Sequence, residues 1–155
     1  ASEKYTEASE TYQQAILQNP NDSFIYLDFG ILLHEKLGQI EEAENAYRKA
    51  LELNPNESEG YFQLGYLLHA HFQRYEEAEK MYIKTMELDS GEKSAPYNLA
   101  CIKSIEHNKE SAISYLQMAI EKGFDRTSAW KDPELEWLRK DVRFEEIVGA
   151  QPKDE

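Results

Sequence analysis

Two stretches of the chain repeat one another at an offset of 35 residues. Residues 15–33, AILQNPNDSFIYLDFGILL, and residues 50–68, ALELNPNESEGYFQLGYLL, keep Ala, Asn-Pro-Asn, Ser, Tyr, Gly and a Leu-Leu pair in step. The next segments do the same, with EEAENAYRKALEL at 41–53 matching EEAEKMYIKTMEL at 76–88. A third copy, ESAISYLQMAIEKGF, stands at 110–124. A partial copy comes first, with Ala8, Tyr12, Ala15 and Pro20 in the places of Ala43, Tyr47, Ala50 and Pro55. A period of this length means stacked supersecondary units, none of which can bury its apolar face alone.

Each unit reads as two helices. Tyr26, Phe29, Gly30 and Leu33 recur at three- and four-residue steps, as do Tyr61, Leu64, Gly65 and Leu68, which marks one helix face. Gly38 breaks the first helix, and Ala43, Tyr47, Ala50 and Leu51 mark the face of the second. Asn54-Pro55-Asn56 ends that helix, because proline disfavours helical angles in the residue before it. Ser23 and Ser58 stand where N-caps are expected. Gly30, Gly65 and Ala100 fall where the helices of a pair cross closely. Ala43, Ala78 and Ala112 fall opposite, and Tyr47, Tyr82 and Leu116 are expected to fill the wedge between pairs.

Charge and composition exclude several functions. The 155 residues are 41% hydrophobic and 30% charged, a soluble globular profile with material for one core. Thirty acidic against 17 basic residues leave a net charge of −13. Such a surface repels phosphate backbones and anionic membranes, so neither nucleic acid nor a membrane is an expected partner. No apolar run approaches the roughly 20 residues of a membrane span. Cys101 is the single cysteine, which rules out an internal disulfide and suits a reducing compartment. The first residues, ASEKYTEASETYQQ, do not read as a signal peptide; they begin inside a helical pattern, as a fragment of a longer chain would. Cytoplasmic localisation is the resulting expectation.

The spacing resembles the tetratricopeptide repeat, whose unit is about 34 residues long. Tyr61, Leu64, Gly65, Leu68, Ala78, Tyr82 and Pro55 match its pattern, as do Tyr26, Phe29, Gly30, Leu33, Ala43, Tyr47 and Ala50, over roughly residues 5 to 124. The first two full units are one residue longer, with the extra residue between Leu33 and Gly38 and between Leu68 and Tyr75. The third returns to 34 residues, with Pro96, Lys103 and, preceding it, Thr85 as departures. The resemblance implies an all-α, right-handed superhelical solenoid of antiparallel helix pairs with C-terminal capping helices. One domain, 1–155, divides into a half repeat (1–22), three repeats (23–57, 58–92 and 93–124) and a helical cap and tail (125–155). Gly123 reads as the stop of the last repeat helix. Asp132-Pro133 starts a short helix containing Leu135, Trp137 and Leu138, and Phe144, Ile147 and Val148 mark another after Asp141.

The same resemblance places a concave binding face on the first helix of each unit. Its positions are Phe24, Leu27, Asp28, Ile31 and His34; then Glu59, Phe62, Gln63, Tyr66 and His69; then Ser94, Tyr97, Asn98 and Cys101. The residues lend support of their own. Phe24, Leu27, Ile31, Phe62 and Tyr66 lie off the small-residue face, and a helix apolar on two sides must bury or use the second. Members that clamp acidic chaperone tails carry Lys, Asn and Arg in the groove. Leu27, Ile31, Gln63, Ser94 and Asn98 stand there instead, so that ligand is not expected.

Chemistry-bearing motifs are sparse. His34 and His69 are 35 apart and hold equivalent places, as groove-lining imidazoles or as partly exposed repeat residues. His69 and His71 are two apart and point to different faces of a helix, and no His–Cys cluster has ligand spacing, so no metal is expected. Glu41-Glu42 and Glu76-Glu77 suit helix N-termini better than acid–base catalysis. Asn21-Asp22-Ser23 and Asn56-Glu57-Ser58 are formal glycosylation sequons that read as inter-repeat turns. The terminal Lys-Asp-Glu lacks the leucine of a retention signal. The expected function is a non-enzymatic interaction scaffold without a cofactor, holding a partner peptide or helix in its groove. The alternative is self-association through Tyr5, Ala8 and Tyr12.

Overall fold

A computed structural model describes residues 2–152; Ala1 and the terminal Lys153-Asp154-Glu155, with the retention-signal reading, lie outside the described residues. The fold is all-α and TPR-like, with no strand among the described residues. The helices are α1 (Ser2–Gln18), α2 (Ser23–Leu32), α3 (Ile40–Leu53), α4 (Ser58–Ala70), α5 (Tyr75–Leu88), α6 (Ser94–Ile105), α7 (Lys109–Glu121), α8 (Arg126–Lys131) and α9 (Val142–Val148). A π-helical turn, Leu33–Leu37, continues α2, and two 3-10 turns, Pro133–Leu135 and Leu138–Lys140, precede α9. The chain forms two compact units, 1–84 and 85–155, and α5 runs from one into the other.

In the first unit small residues let helices meet at backbone distance. A Cβ added at Gly30 would lie 2.6 Å from the Tyr47 ring, and one at Gly65 would lie 3.0 Å from Tyr82. Tyr47 and Tyr82, both fully buried, therefore close the helix pair itself, where the sequence suggested a wedge between pairs. The reason is steric: a ring needs the missing Cβ to lie flat on the partner helix. Successive pairs approach at Gly60, where a Cβ would meet Leu51 at 2.9 Å. Tyr12 stacks on Phe29, with ring centroids 5.8 Å apart, and seats α1 against α2.

The cap positions shift by one residue. Asp22, not Ser23, is the N-cap of α2, its carboxylate accepting the Phe24 N–H at 3.0 Å. Glu57, not Ser58, occupies that place at α4, without a side-chain bond. At α2 the Asp22 carboxylate takes the amide two residues on, so Ser23 becomes the first helical residue.

All three turns inside the pairs use one left-handed residue: Gly38 (φ 65), Gln73 (φ 53) and His107 (φ 57). A backbone bond closes each turn. Gln39 N–H donates to Leu33 O at 2.9 Å, and Arg74 N–H to Leu68 O at 2.9 Å, each reaching back six residues; Asn108 N–H donates to Lys103 O at 2.8 Å, reaching back five. The additional residue of the longer units is thus absorbed inside this turn, as a π-helical widening in the first.

Four charged side chains tie α3 to the start of α5. Arg48 bonds Glu44 at 2.7 Å and also Glu77; Arg74 bonds Glu44 at 3.0 Å and Glu77 at 2.7 Å. Burial pushes the Glu77 carboxyl up, but the bonds from Arg48 and Arg74 outweigh it and hold it below the usual carboxylate range.

The second unit buries Ala100, Ala112, Leu116, Leu135, Leu138, Phe144 and Val148 together. Gly123 (φ 87) ends α7, and Phe124 N–H returns to Ala119 O at 2.9 Å. Asp125 then caps α8, accepting the Thr127 and Ser128 amides. Asp132 caps the first 3-10 turn through the Glu134 N–H, and Asp141 caps α9 through the Arg143 N–H. The stretch around Leu135 is thus 3-10 turns rather than the α-helix expected, because consecutive caps at Asp132 and Asp141 leave only short runs between them.

Candidate functional site: the outer face of α2 and α4

Phe24, Asp28 and Ile31 are spaced at four and three residues along α2, and Glu59, Phe62, Gln63 and Tyr66 similarly along α4; each set shares one helix face. Phe24 is 61% exposed and Tyr66 43% exposed, and they are the exposed aromatic rings among the described large apolar side chains, beside the aliphatic Leu17, Ile83 and Val142. Ile31 is half-buried, Asp28 and Glu59 are exposed, and Gln63 donates to Glu59 at 2.5 Å. Phe62 leans on Tyr82, centroids 6.0 Å apart, and is half-buried. Leu27 is buried at 6% exposure and belongs to the core.

Asp28 and Ile31 also line a cleft of about 420 Å³ between α1 and α2, together with Tyr5, Ala8, Tyr12 and Lys36. The face therefore carries two exposed rings and the acidic Asp28 and Glu59, while Asp28 and Ile31 also reach the cleft against α1.

The two equivalent histidines have different surroundings. Each meets the tyrosine of its own pair edge-on: His34 to Tyr47 at 6.4 Å and His69 to Tyr82 at 6.3 Å. His69 is buried at 5% exposure, against Tyr75 as well. His34 stays half-exposed beside Tyr66, and its Nε2 lies 3.0 Å from the Nε2 of His71. Sequence equivalence missed this pairing, since it matches His34 with His69, and the residue 35 before His71 is Lys36.

In the second unit the corresponding face of α6 is covered. Tyr97, 5% exposed, stacks on Phe124 with centroids 3.8 Å apart, and its hydroxyl donates to Asp132 Oδ2 at 2.8 Å. Cys101 is buried, and its thiol donates to the same oxygen at 3.7 Å. Burial, then the neighbouring Asp132 and Glu134 carboxylates, push that thiol well above its ordinary value, which makes it a poor nucleophile. Cys101, Asp132 and Glu134 come close enough to hold an ion, but Asp132 already spends both oxygens, one on Tyr97 and one on the Glu134 amide. Ser94 and Asn98 are half-buried.

Comparisons with known proteins agree with this architecture. A crystal structure of MamA superposes with a TM-score of 0.75 at 18% identity, covering 92% of this chain and 89% of that one. A second MamA structure gives 0.79 at 19% identity, covering 94% and 81%. PilF of Pseudomonas aeruginosa gives 0.76 at 19% identity, covering 91% of this chain and 63% of that one. At these identities the likeness is one of fold. No curated protein sequence matches significantly. The model of the cilia and flagella-associated protein 70 middle TPR-like domain matches residues 1–137. The tetratricopeptide character read from Gly30, Tyr47, Gly65 and Tyr82 is thereby placed: the chain belongs to the family of the middle TPR-like domain of cilia and flagella-associated protein 70.

Proposed function

We propose that this chain is a non-catalytic interaction module that holds a peptide or helix of a protein partner on the outer face of α2 and α4. TPR-like folds mediate protein–protein interaction. The observation that carries the finer reading is the exposure of Phe24 and Tyr66 beside half-buried Ile31. Aromatic anchors of this kind supply most of an interface's affinity when a partner desolvates them. Asp28 and Glu59 flank them, and a net charge of −13 surrounds them, so the partner segment is apolar with basic flanks. Peptides selected from a random library on the intact protein should be rich in Lys and Arg around an apolar centre. They should shift the amide resonances of Phe24, Ile31 and Tyr66. Shifts confined to the second unit would overturn the assignment.

A second reading has its own observation. The cleft between α1 and α2 is lined by Tyr5, Ala8 and Tyr12, so a second copy of the chain is a candidate occupant. Sedimentation that stays monomeric at high concentration would dismiss it.

A further inference from the structure

The geometry points to a transition-metal site formed by His34 and His71: we propose that their two Nε2 atoms chelate a divalent late first-row ion, Cu(II) foremost. The two rings come from the π-helical turn after α2 and from the C-cap of α4, 37 residues apart in sequence, and meet Nε2 to Nε2 at 3.0 Å. Without an ion, one ring donates its proton and the other accepts it. An ion takes the place of that bond: the donating ring shifts its proton to Nδ1, and both Nε2 lone pairs then bind the metal at about 2.0–2.1 Å. Two such bonds at a right angle put the nitrogens about 2.9 Å apart, and at a tetrahedral angle about 3.3 Å. The 3.0 Å separation, set by the N–H···N bond of the metal-free pair, stands within about 0.3 Å of both, and imidazole affinity peaks at Cu(II) along the first row.

The surroundings suit ligation. The other nitrogen of His34, Nδ1, sits 3.5 Å from the Tyr47 hydroxyl, leaving Nε2 as the coordinating atom and giving the ring an outer partner. Tyr66 lies against the His34 ring at 5.8 Å and holds its plane. His71 is exposed, so an ion reaches the pair from solvent, and the remaining coordination positions take water. The pair lies in the first unit and needs no residue of the second.

Cu(II) titration of the tag-free full chain, read by electron paramagnetic resonance and calorimetry, tests the site. The expected result is one ion per chain with two equatorial nitrogens. Its affinity should fall at least about tenfold, or about 1.4 kcal/mol, in both H34Q and H71Q, and stay unchanged in H107Q. H71Q removes an exposed ring, so it reports even if H34Q weakens folding. Equal Cu(II) affinity in wild type and H71Q, or a two-nitrogen signal that survives in H71Q, would overturn the proposal.

Discussion

Gly30 shows how much one hydrogen atom in place of a methyl group decides. Its Cβ would stand 2.6 Å from two Tyr47 ring atoms on a fully buried side chain, so G30A must push the helices apart. Overpacking of this kind costs about 1–3 kcal/mol, and urea unfolding should show it; an unchanged midpoint would mean that the pair is not closed at this point. The left-handed turn residues make an opposing pair. Gly38 adopts φ 65 without strain, while Gln73 adopts φ 53 with a side chain. Q73G should therefore gain up to about 1 kcal/mol and G38A lose about 1 kcal/mol by the same unfolding measurement. The glycine turn was readable in the sequence because glycine marks such a position. Gln73 and His107 were not, since the closing bonds at Arg74 and Asn108 force the angle on residues that do not advertise it. The His34–His71 meeting escaped for a different reason: repeat equivalence matches His34 with His69, and Lys36 holds the place of His71 in the first unit.

At the scale of elements, the helix pairs of the repeats followed from periodicity, while α8 did not. Six residues carry too little periodicity to be seen, although Asp125-Arg126-Thr127-Ser128 holds the cap that starts α8. Hydroxyls of Ser128 and Thr127, then the Thr127 amide, hold the Asp125 carboxyl down at about 2. Its unfolded value is about 3.9. A depressed folded pKa adds stability above the unfolded value, and that stability drains as pH falls through the folded one. Hydrogen-exchange protection of α8 should therefore be full at pH 5 and decline between about pH 4 and pH 2, and D125A should remove that pH dependence. The α3–α5 ion network behaves differently. Both arginines and Glu77 keep about a third or more of their side chains in water, so replacing Glu77 with Gln should cost about 1 kcal/mol or less, and less still in high salt.

At the scale of the whole molecule, fewer residues stay accessible on the proposed binding face than the repeat pattern offered. Position in a repeat says which residues share a face, but not which are covered. Tyr97 lies beneath Phe124 and Asp132, Leu27 and His69 are buried, and Phe24 and Tyr66 remain exposed. Phe124 at the end of the last repeat and Asp132 beyond it cover Tyr97, and no period in the sequence pairs either with it. The most direct measurement is the affinity of a library-selected peptide for the F24A/Y66A double variant, taken alongside its unfolding midpoint. Neither ring is buried, Phe24 being 61% and Tyr66 43% exposed, so the midpoint should move little while affinity falls at least about tenfold. Unchanged affinity in a folded double variant would contradict the assignment of partner binding to the face of α2 and α4.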